Sequence, residues 1–390
     1  MFTNVVKPTH ACNLACTYCY NEDERNKKMT LDTLRAVVDR TCEFVAENVK
    51  DRKVDFIWHG GEPMLMGVDF YREVMSYQSL HSHKIHISNV MQTNGLKVNE
   101  EWCEFFKEHN WQVSISLDGT KKSHDLTRIH RNGKGSFDSV YDAIQLVKKH
   151  KIPLGACLVL SKNNVDNLKE VYSFLKSEEL NFNIIPMTYS GEAVNVMSDI
   201  GLSPEEYSSA WTELYDYWFY DEETVHCSDF VNKSAGILNK CGADCVAILD
   251  CSRSVISVDH NGDVYPCATM SPDPNWLYGN IADSDLITLF ASDNANRARN
   301  RQSDNNCIHC RWRTNCNGGC MSRADKFFDS INVRDYYCPG LFRIYEHIAK
   351  RLSETKQANL EYTPASEQEM KYYSSENRVT KYQRIPIDLL

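Results

Sequence analysis

Six short apolar runs alternate with amphipathic stretches through the first half of the chain, and this alternation limits the fold more than any other feature. The strand candidates are residues 3–6, 54–58, 85–91, 112–117, 153–160 and 182–187. Stretches with helical spacing lie between them, at 31–49, 68–77, 99–108, 137–150 and 165–177. Strand followed by helix, repeated, predicts a parallel sheet with crossover helices. Six units are too few for a closed eight-fold barrel. The expected fold is therefore α/β, a partial (β/α)6 barrel of TIM type, with chemistry on the loops that follow the carboxyl ends of the strands.

Beyond about residue 225 the pattern changes to cysteines, turns and short segments. The expected domains are a barrel over 1–225, a cysteine-rich domain over 226–350 and a polar tail over 351–390. Between the first two, residues 203–221 read as a connecting helix. Its aromatics, Tyr207, Trp211, Tyr215 and Trp218, have the spacing of packing residues rather than of a cofactor box.

A hydrophobic content of 42% and a charged content of 25% are ordinary for a globular protein. The net charge of −10 argues against a general nucleic-acid or membrane-surface binder, which would carry a basic face. No run is long enough for a membrane helix, and the N-terminus lacks the apolar core of a signal peptide. A cytoplasmic protein is expected. In a reducing compartment, 16 cysteines point to metal rather than to disulfides. Three lie at the start, four are scattered (Cys42, Cys103, Cys157, Cys227) and nine crowd between Cys241 and Cys338.

The first three, Cys12, Cys16 and Cys19, follow the first strand candidate. Three thiolates can hold three irons of a four-iron cluster and leave the fourth open, as a catalytic metal site keeps a position for substrate. The alternative is a zinc knuckle, which usually pairs cysteines and adds His or a second pair. Cys-x3-Cys-x2-Cys with Tyr18 before the last cysteine resembles the signature of the radical SAM superfamily. That resemblance implies S-adenosylmethionine (SAM) chelated at the open iron and cleaved to a 5′-deoxyadenosyl radical.

Three further loops follow the next strands. Trp58-His59-Gly60-Gly61-Glu62-Pro63 offers two glycines for close approach to a ligand and a carboxylate for an ammonium group, or else an ordinary βα turn. Its place after the second strand resembles the superfamily loop that holds the methionine amine. Gln92-Thr93-Asn94-Gly95 has the composition of a polar turn. Ser116-Leu117-Asp118-Gly119 precedes Arg128, whose fork of donors suits the methionine carboxylate; the alternative is a solvated surface arginine.

In the second half, Cys251 is followed by Cys267 across a hairpin turn at Asn261-Gly262. Then come Cys307, Cys310, Cys316, Cys320 and Cys338. This spacing is similar to the SPASM domain of peptide-modifying radical SAM enzymes, which carries two auxiliary four-iron clusters. The resemblance implies three [4Fe–4S] clusters in all. It assigns Cys307, Cys310, Cys316 and Cys338 to one auxiliary cluster, and Cys251, Cys267 and Cys320 to the other. The fourth ligand of that other cluster is Cys245 by spacing, with Cys241 as the competitor. Over residues 1 to 350 the likeness is to the anaerobic sulfatase-maturating enzymes. Carried over, the SAM contacts are Tyr18, Gly60, Gly61, Glu62, Ser116 and Arg128, with Tyr189 added on spacing alone.

One departure matters. Sulfatase maturases place an aspartate directly after the cysteine of Tyr-Pro-Cys, and here that position is Ala268. Alanine cannot act as a base, and general-base help is typically worth about 10²–10⁴ in rate. The expected function is therefore a radical SAM/SPASM maturase that forms an oxidative cross-link, carbon–carbon or thioether, in a ribosomally made precursor peptide. The alternatives are sulfatase maturation and peptide epimerisation, the second of which needs a thiol hydrogen donor. Cys42, Cys103, Cys157 and Cys227 are spare, and such cysteines are usually inert core residues. The catalytic base stays unassigned, with Asp259, His260, Asp263 and Tyr265 merely near the turn. The expected partners are the peptide, a separate leader-binding protein and a flavodoxin or ferredoxin-type reductant. With the triplet starting at residue 12, no leader-binding domain is expected ahead of it. The tail is a second candidate for leader binding, with 385–390 adding a strand; a disordered terminus is the alternative.

Overall fold

A computed structural model of the chain describes residues 1–21, 27–355, 360–375, 378 and 380. The chain forms two compact units that interleave along its length. The first comprises Met1–Leu117, His124–Ala156 and Asp250–Asn300; the second comprises Asp118–Ser123, Cys157–Leu249 and Arg301–Leu390.

In the first unit, β1 (Phe2–Val6), β2 (Lys53–Trp58), β3 (His86–Thr93) and β4 (Gln112–Ser116) lie side by side in parallel. β1 alternates buried and half-buried residues along Phe-Thr-Asn-Val-Val, the period of a strand with one face inward. Its one polar buried residue, Asn4, donates to Thr41 Oγ1 at 2.8 Å on the covering helix Leu31–Asn48. That helix is capped by Thr30, which accepts from Thr33 N. It buries Leu34, Val37, Val38, Thr41, Cys42 and Val45, a stripe at helical spacing worth roughly 1.5–3 kcal/mol for each large aliphatic side chain. Behind β2 an aromatic cluster fills the core. Trp58 stacks near Trp111 with centroids 6.1 Å apart, and Tyr71 meets Trp111 edge-on at 5.5 Å.

All six predicted strands are present, including β5 (Leu154–Leu160) and β6 (Asn181–Pro186). The predicted hairpin around Asn261-Gly262 forms as well: β7 (Val255–Val258) and β8 (Asp263–Tyr265) pair antiparallel, with Ser257 opposite Tyr265. β9 (Gly279–Asn280) adds to β8. The partner of β7 on its other side was not foreseen. β7 pairs in parallel with β1, Asn4 opposite Ile256 and Val6 opposite Val258. The first strand of the cysteine-rich half thus extends the sheet at the edge where β1 would otherwise stand unpaired.

The second unit places the end of β5 beside β6 and builds its core on helices. The expected connector is the helix Pro204–Phe219, opened by a capping box between Ser203 and Glu206. Its aromatics are packing residues, as read: Trp211 and Tyr215 meet Phe230 edge-on at 4.7 and 5.4 Å. Against the pull of burial, Arg351 and His347 hold the Asp216 carboxyl below the usual range, which anchors the helix Cys338–Ser353. Two short helices, Lys121–Thr127 and Ala193–Ile200, had no periodic signal long enough to be read. No helix among the described residues is long and apolar enough to cross a membrane.

Candidate active site and cluster ligands

The cysteine triplet lies on the loop that leaves β1, and Cys12, Cys16 and Cys19 are all half-buried. Backbone bonds fix this loop on two sides. Ala15 N and Thr17 N donate to Ile129 O and Thr127 O at 2.8 and 3.0 Å. On the other side, Gly61 N donates to Thr9 O at 3.0 Å and Glu62 N to Ala11 O at 2.8 Å. The two glycines are demanded by this contact. A Cβ on Gly60, whose φ is +118°, would lie 2.3 Å from Thr9 O, and one on Gly61 would lie 2.3 Å from His10 O. What the glycines admit so closely here is the backbone of the cysteine loop.

Glu62 is fully buried and its carboxylate accepts three bonds: from Met64 N at 3.0 Å, Thr93 Oγ1 at 2.8 Å and Asn94 N at 2.8 Å. Burial pushes it up to about 7 despite these donors. It clamps the loop after β2 to the loop after β3, and about one of its four acceptor positions is left for a ligand. The Gln-Thr-Asn-Gly turn does more than turn. Asn94 Nδ2 reaches Cys12 Sγ at 3.7 Å and Asn13 Oδ1 at 2.8 Å, and Leu14 N donates to the same sulfur at 3.4 Å. Arg131 adds a bond from Nη2 to Cys12 O at 2.7 Å. Burial pushes the Cys12 thiol up to about 12, so metal loading there must displace a proton.

Arg128 is 8% exposed, which removes the surface-arginine alternative. Its guanidinium lies 5.3 Å from the centre of the Tyr18 ring. Ser116, at the end of β4, takes a bond from Gln92 Nε2 at 3.2 Å. Tyr18, Gly60, Gly61, Glu62, Ser116 and Arg128 thus share the first unit with the triplet, whereas Tyr189 belongs to the second unit, its ring 5.8 Å from Phe327. His59 carries a signal the sequence reading passed over. Gly60 N donates to its Nδ1 at 2.7 Å, and its Nε2 lies 3.5 Å from Tyr20 OH. Burial and the Lys7 ammonium bring its imidazole down to about 4, so it is neutral at physiological pH.

In the second unit the thiol of Cys316 senses those of Cys338, Cys307 and Cys310. This is the set of four assigned to one auxiliary cluster. Burial pushes Cys307 up to about 11 and Cys338 up to about 12. Cys320 senses Cys245, the member of the Cys241/Cys245 pair that spacing favoured. Asp335 fixes the Cys320 turn: it accepts from Cys320 N at 2.9 Å and from Arg323 Nε at 2.9 Å. Gly319 is required there, because its φ is +76° and a Cβ would lie 2.5 Å from Asp335 Cβ. In the first unit, Cys251 and Cys267 both influence Tyr278. Among the described residues no three His, Cys, Asp or Glu side chains converge on a single metal ion. The donors present fit iron–sulfur clusters: the Cys316 thiol within electrostatic reach of three others, N–H groups directed at Cys12 sulfur, and a buried Thr17 hydroxyl in the triplet loop with no hydrogen-bond partner. The spare Cys42, Cys103, Cys157 and Cys227 are buried as expected.

The described part of the tail packs on the helix Cys338–Ser353 and on Arg311. Tyr373 stacks on Phe342 at 5.1 Å, Tyr362 OH donates to Glu346 Oε2 at 2.7 Å, and Arg311 Nη2 donates to Thr363 O at 2.9 Å. Residues 385–390, read as a candidate peptide-binding strand, lie outside the described residues.

Comparison with known proteins gives the family and the fold. Residues 6–175 match the family described as the radical SAM superfamily, and residues 250–317 match an iron–sulfur cluster-binding domain, SPASM. A cysteine-type anaerobic sulfatase-maturating enzyme of Clostridium perfringens (strain 13 / Type A) is 30% identical, over 89% of this chain and 96% of its own. A solved structure of native anSMEcpe with bound AdoMet and Kp18Cys peptide is 28% identical, with a TM-score of 0.79 over 92% of this chain and 99% of that one. SuiB of Streptococcus suis bound to S-adenosylmethionine shares the fold, with a TM-score of 0.63 at 16% identity over 86% of this chain and 77% of its own.

Proposed function

From its membership of the radical SAM superfamily, in the SPASM-bearing family that includes the anaerobic sulfatase-maturating enzymes, we propose that this enzyme oxidises a ribosomally made peptide to a cross-linked product. Its cofactors are SAM and multiple [4Fe–4S] clusters. When bound, they supply one-electron chemistry: removal of a hydrogen atom from the substrate and acceptance of the electron left behind.

The chain's own residues do the positioning. Cys12, Cys16 and Cys19 would hold the cluster at which SAM binds. Asn94 and Leu14 N–H stabilise negative charge on Cys12, while Glu62 fixes the two loops that face the triplet. Arg128 and Ser116 would supply donors for the methionine carboxylate. The observation that carries the peptide reading is the full-length likeness to an enzyme solved with a peptide. The observation that carries the choice of cross-linking is Ala268: its side chain offers no base, and its carbonyl is taken by Lys7 Nζ at 2.7 Å.

A second reading, formylglycine formation on a sulfatase, is favoured by the 30% identity across 96% of a cysteine-type maturase. Anaerobic reaction with SAM, reductant and a candidate precursor peptide, with a sulfatase-derived peptide in parallel, separates the readings. Loss of two hydrogens with no aldehyde supports cross-linking. An aldehyde that reacts with a hydrazide supports sulfatase maturation, and solvent deuterium gained without other mass change indicates epimerisation. The auxiliary ligand sets, the 1–225, 226–350 and 351–390 functional division, and a separate leader-binding protein belong to the same proposal. Iron content of Cys245→Ala against Cys241→Ala tests the fourth ligand.

A further inference from the structure

Lys7, the first residue after β1, is fully buried. Lysine is almost never so unless it is paired. Its Nζ donates to Asn21 Oδ1 at 2.9 Å and Ala268 O at 2.7 Å, lies 3.4 Å from Ser271 Oγ, and stands 5.2 Å from the Tyr20 ring centre. Asn21, Ala268 and Ser271 each offer it a neutral oxygen. A carboxylate, Asp259, is reached through Ser271, whose Oγ donates to Asp259 Oδ1 at 2.7 Å. Asp259 is itself buried, with His10 Nε2 at 3.3 Å. Despite burial, it is held below the usual carboxylate range by His10, Lys7 and Ser271.

The placement of these partners is the informative part. Tyr20 and Asn21 directly follow Cys19, and Asn21 Nδ2 continues to Gly60 O at 2.6 Å. Ala268 directly follows Cys267, and Ser271 stands four residues beyond it. One ammonium therefore ties the loop of the SAM-site cysteines to the loop of an auxiliary ligand. Reduction adds negative charge to an iron–sulfur group, and the potential of such a group follows nearby charge, hydrogen bonding and exposure. A cation shielded from water acts strongly on a neighbouring charge.

We propose that Lys7 is a positioning residue with a fixed charge, joining the loop after Cys19 to the loop after Cys267 and favouring electron uptake by the iron–sulfur group held through Cys267. Ser271 and Asp259 set the strength of that charge. The proposal rests on the reading of Cys267 as a cluster ligand in an oxidative maturase.

The test compares Lys7→Met, Lys7→Arg and Asp259→Asn in the anaerobically reconstituted holoenzyme. The readouts are iron content, cluster midpoints from redox titration followed by electron paramagnetic resonance, and 5′-deoxyadenosine formed per peptide oxidised. Lys7→Met is expected to move an auxiliary midpoint to more negative potential and to raise the deoxyadenosine-to-product ratio about tenfold. Lys7→Arg restores both. Asp259→Asn, which removes a buried anion from beside the cation, moves the same midpoint in the opposite direction. A loss of fold would not produce shifts of opposite sign. Unchanged midpoints in a Lys7→Met protein with full iron would overturn the proposal, as would shifts of the same sign in both variants. If Lys7→Met does not fold, an unmoved midpoint in Asp259→Asn overturns it alone. A wild type that cleaves SAM but oxidises no peptide defeats the maturase reading, while the midpoints still judge Lys7.

Discussion

The triplet loop of the first unit and the four-cysteine set of the second place the same residue type in different settings. Cys12, Cys16 and Cys19 are all half-buried, and the groups that steady Cys12 are backbone N–H, an asparagine amide and an arginine on its carbonyl. In the second set Cys307 and Cys338 are buried while Cys310 and Cys316 are half-buried, Arg334 and Arg378 bias the Cys338 thiol, and a folded stretch of tail packs over the neighbouring helix. A site that must admit a substrate keeps one side accessible. A site that only passes charge gains from exclusion of water and from fixed cations.

The comparison breaks most sharply at the triplet. Replacing Cys12, Cys16 and Cys19 together by alanine should bring SAM cleavage to background while about two thirds of the iron remains, counted against three clusters; cleavage that survives would mean the open site lies elsewhere. The next effect is at Asn94. Asn94→Ala should slow SAM cleavage by about 10–100-fold, the usual range for a residue that supports a metal ligand, with no change in the auxiliary spectra. Equal losses at both sites would show that the settings are not independent.

Tyr373→Ala tests the sealed side. Removing a buried ring stacked on Phe342 should cost about 3 kcal/mol and hasten bleaching of one auxiliary cluster in air, with SAM cleavage in the absence of peptide preserved. The smallest effect is a slope with pH. Glu62 binds a proton up to about pH 7 in the folded chain and to 4.5 by its ordinary value. Native protein then holds more protons than unfolded protein between those values, so this group's contribution to stability falls as pH rises through that window. Thermal unfolding of Glu62→Gln from pH 4.5 to 7 should show a flatter profile than wild type.

Much of this was legible in the sequence for physical reasons. β1 to β6 announce themselves because each is an apolar run between helical stretches. The hairpin is written in Asn261-Gly262, since few residues tolerate that turn. β7 could be read as a strand but not placed, because four residues, Val-Ile-Ser-Val, cannot say which distant edge they will join. Glu62 was read as facing a ligand, and its three bonds turn mainly to other loops. Asn94 and Lys7 carry no spacing signature. Their roles arise only when loops 82 and 261 residues apart in sequence are brought within bonding distance.

The parallel pairing of β1 with β7 has a consequence for biosynthesis. The outer edge of β1 finds its partner only after residues 255–258 have left the ribosome. At about 5–20 residues per second, that interval lasts roughly 10–50 s. During it the nascent chain presents an unsatisfied strand edge next to three thiols, a combination open to mispairing and oxidation. Protection of that edge and of the thiols would have its largest effect within that interval.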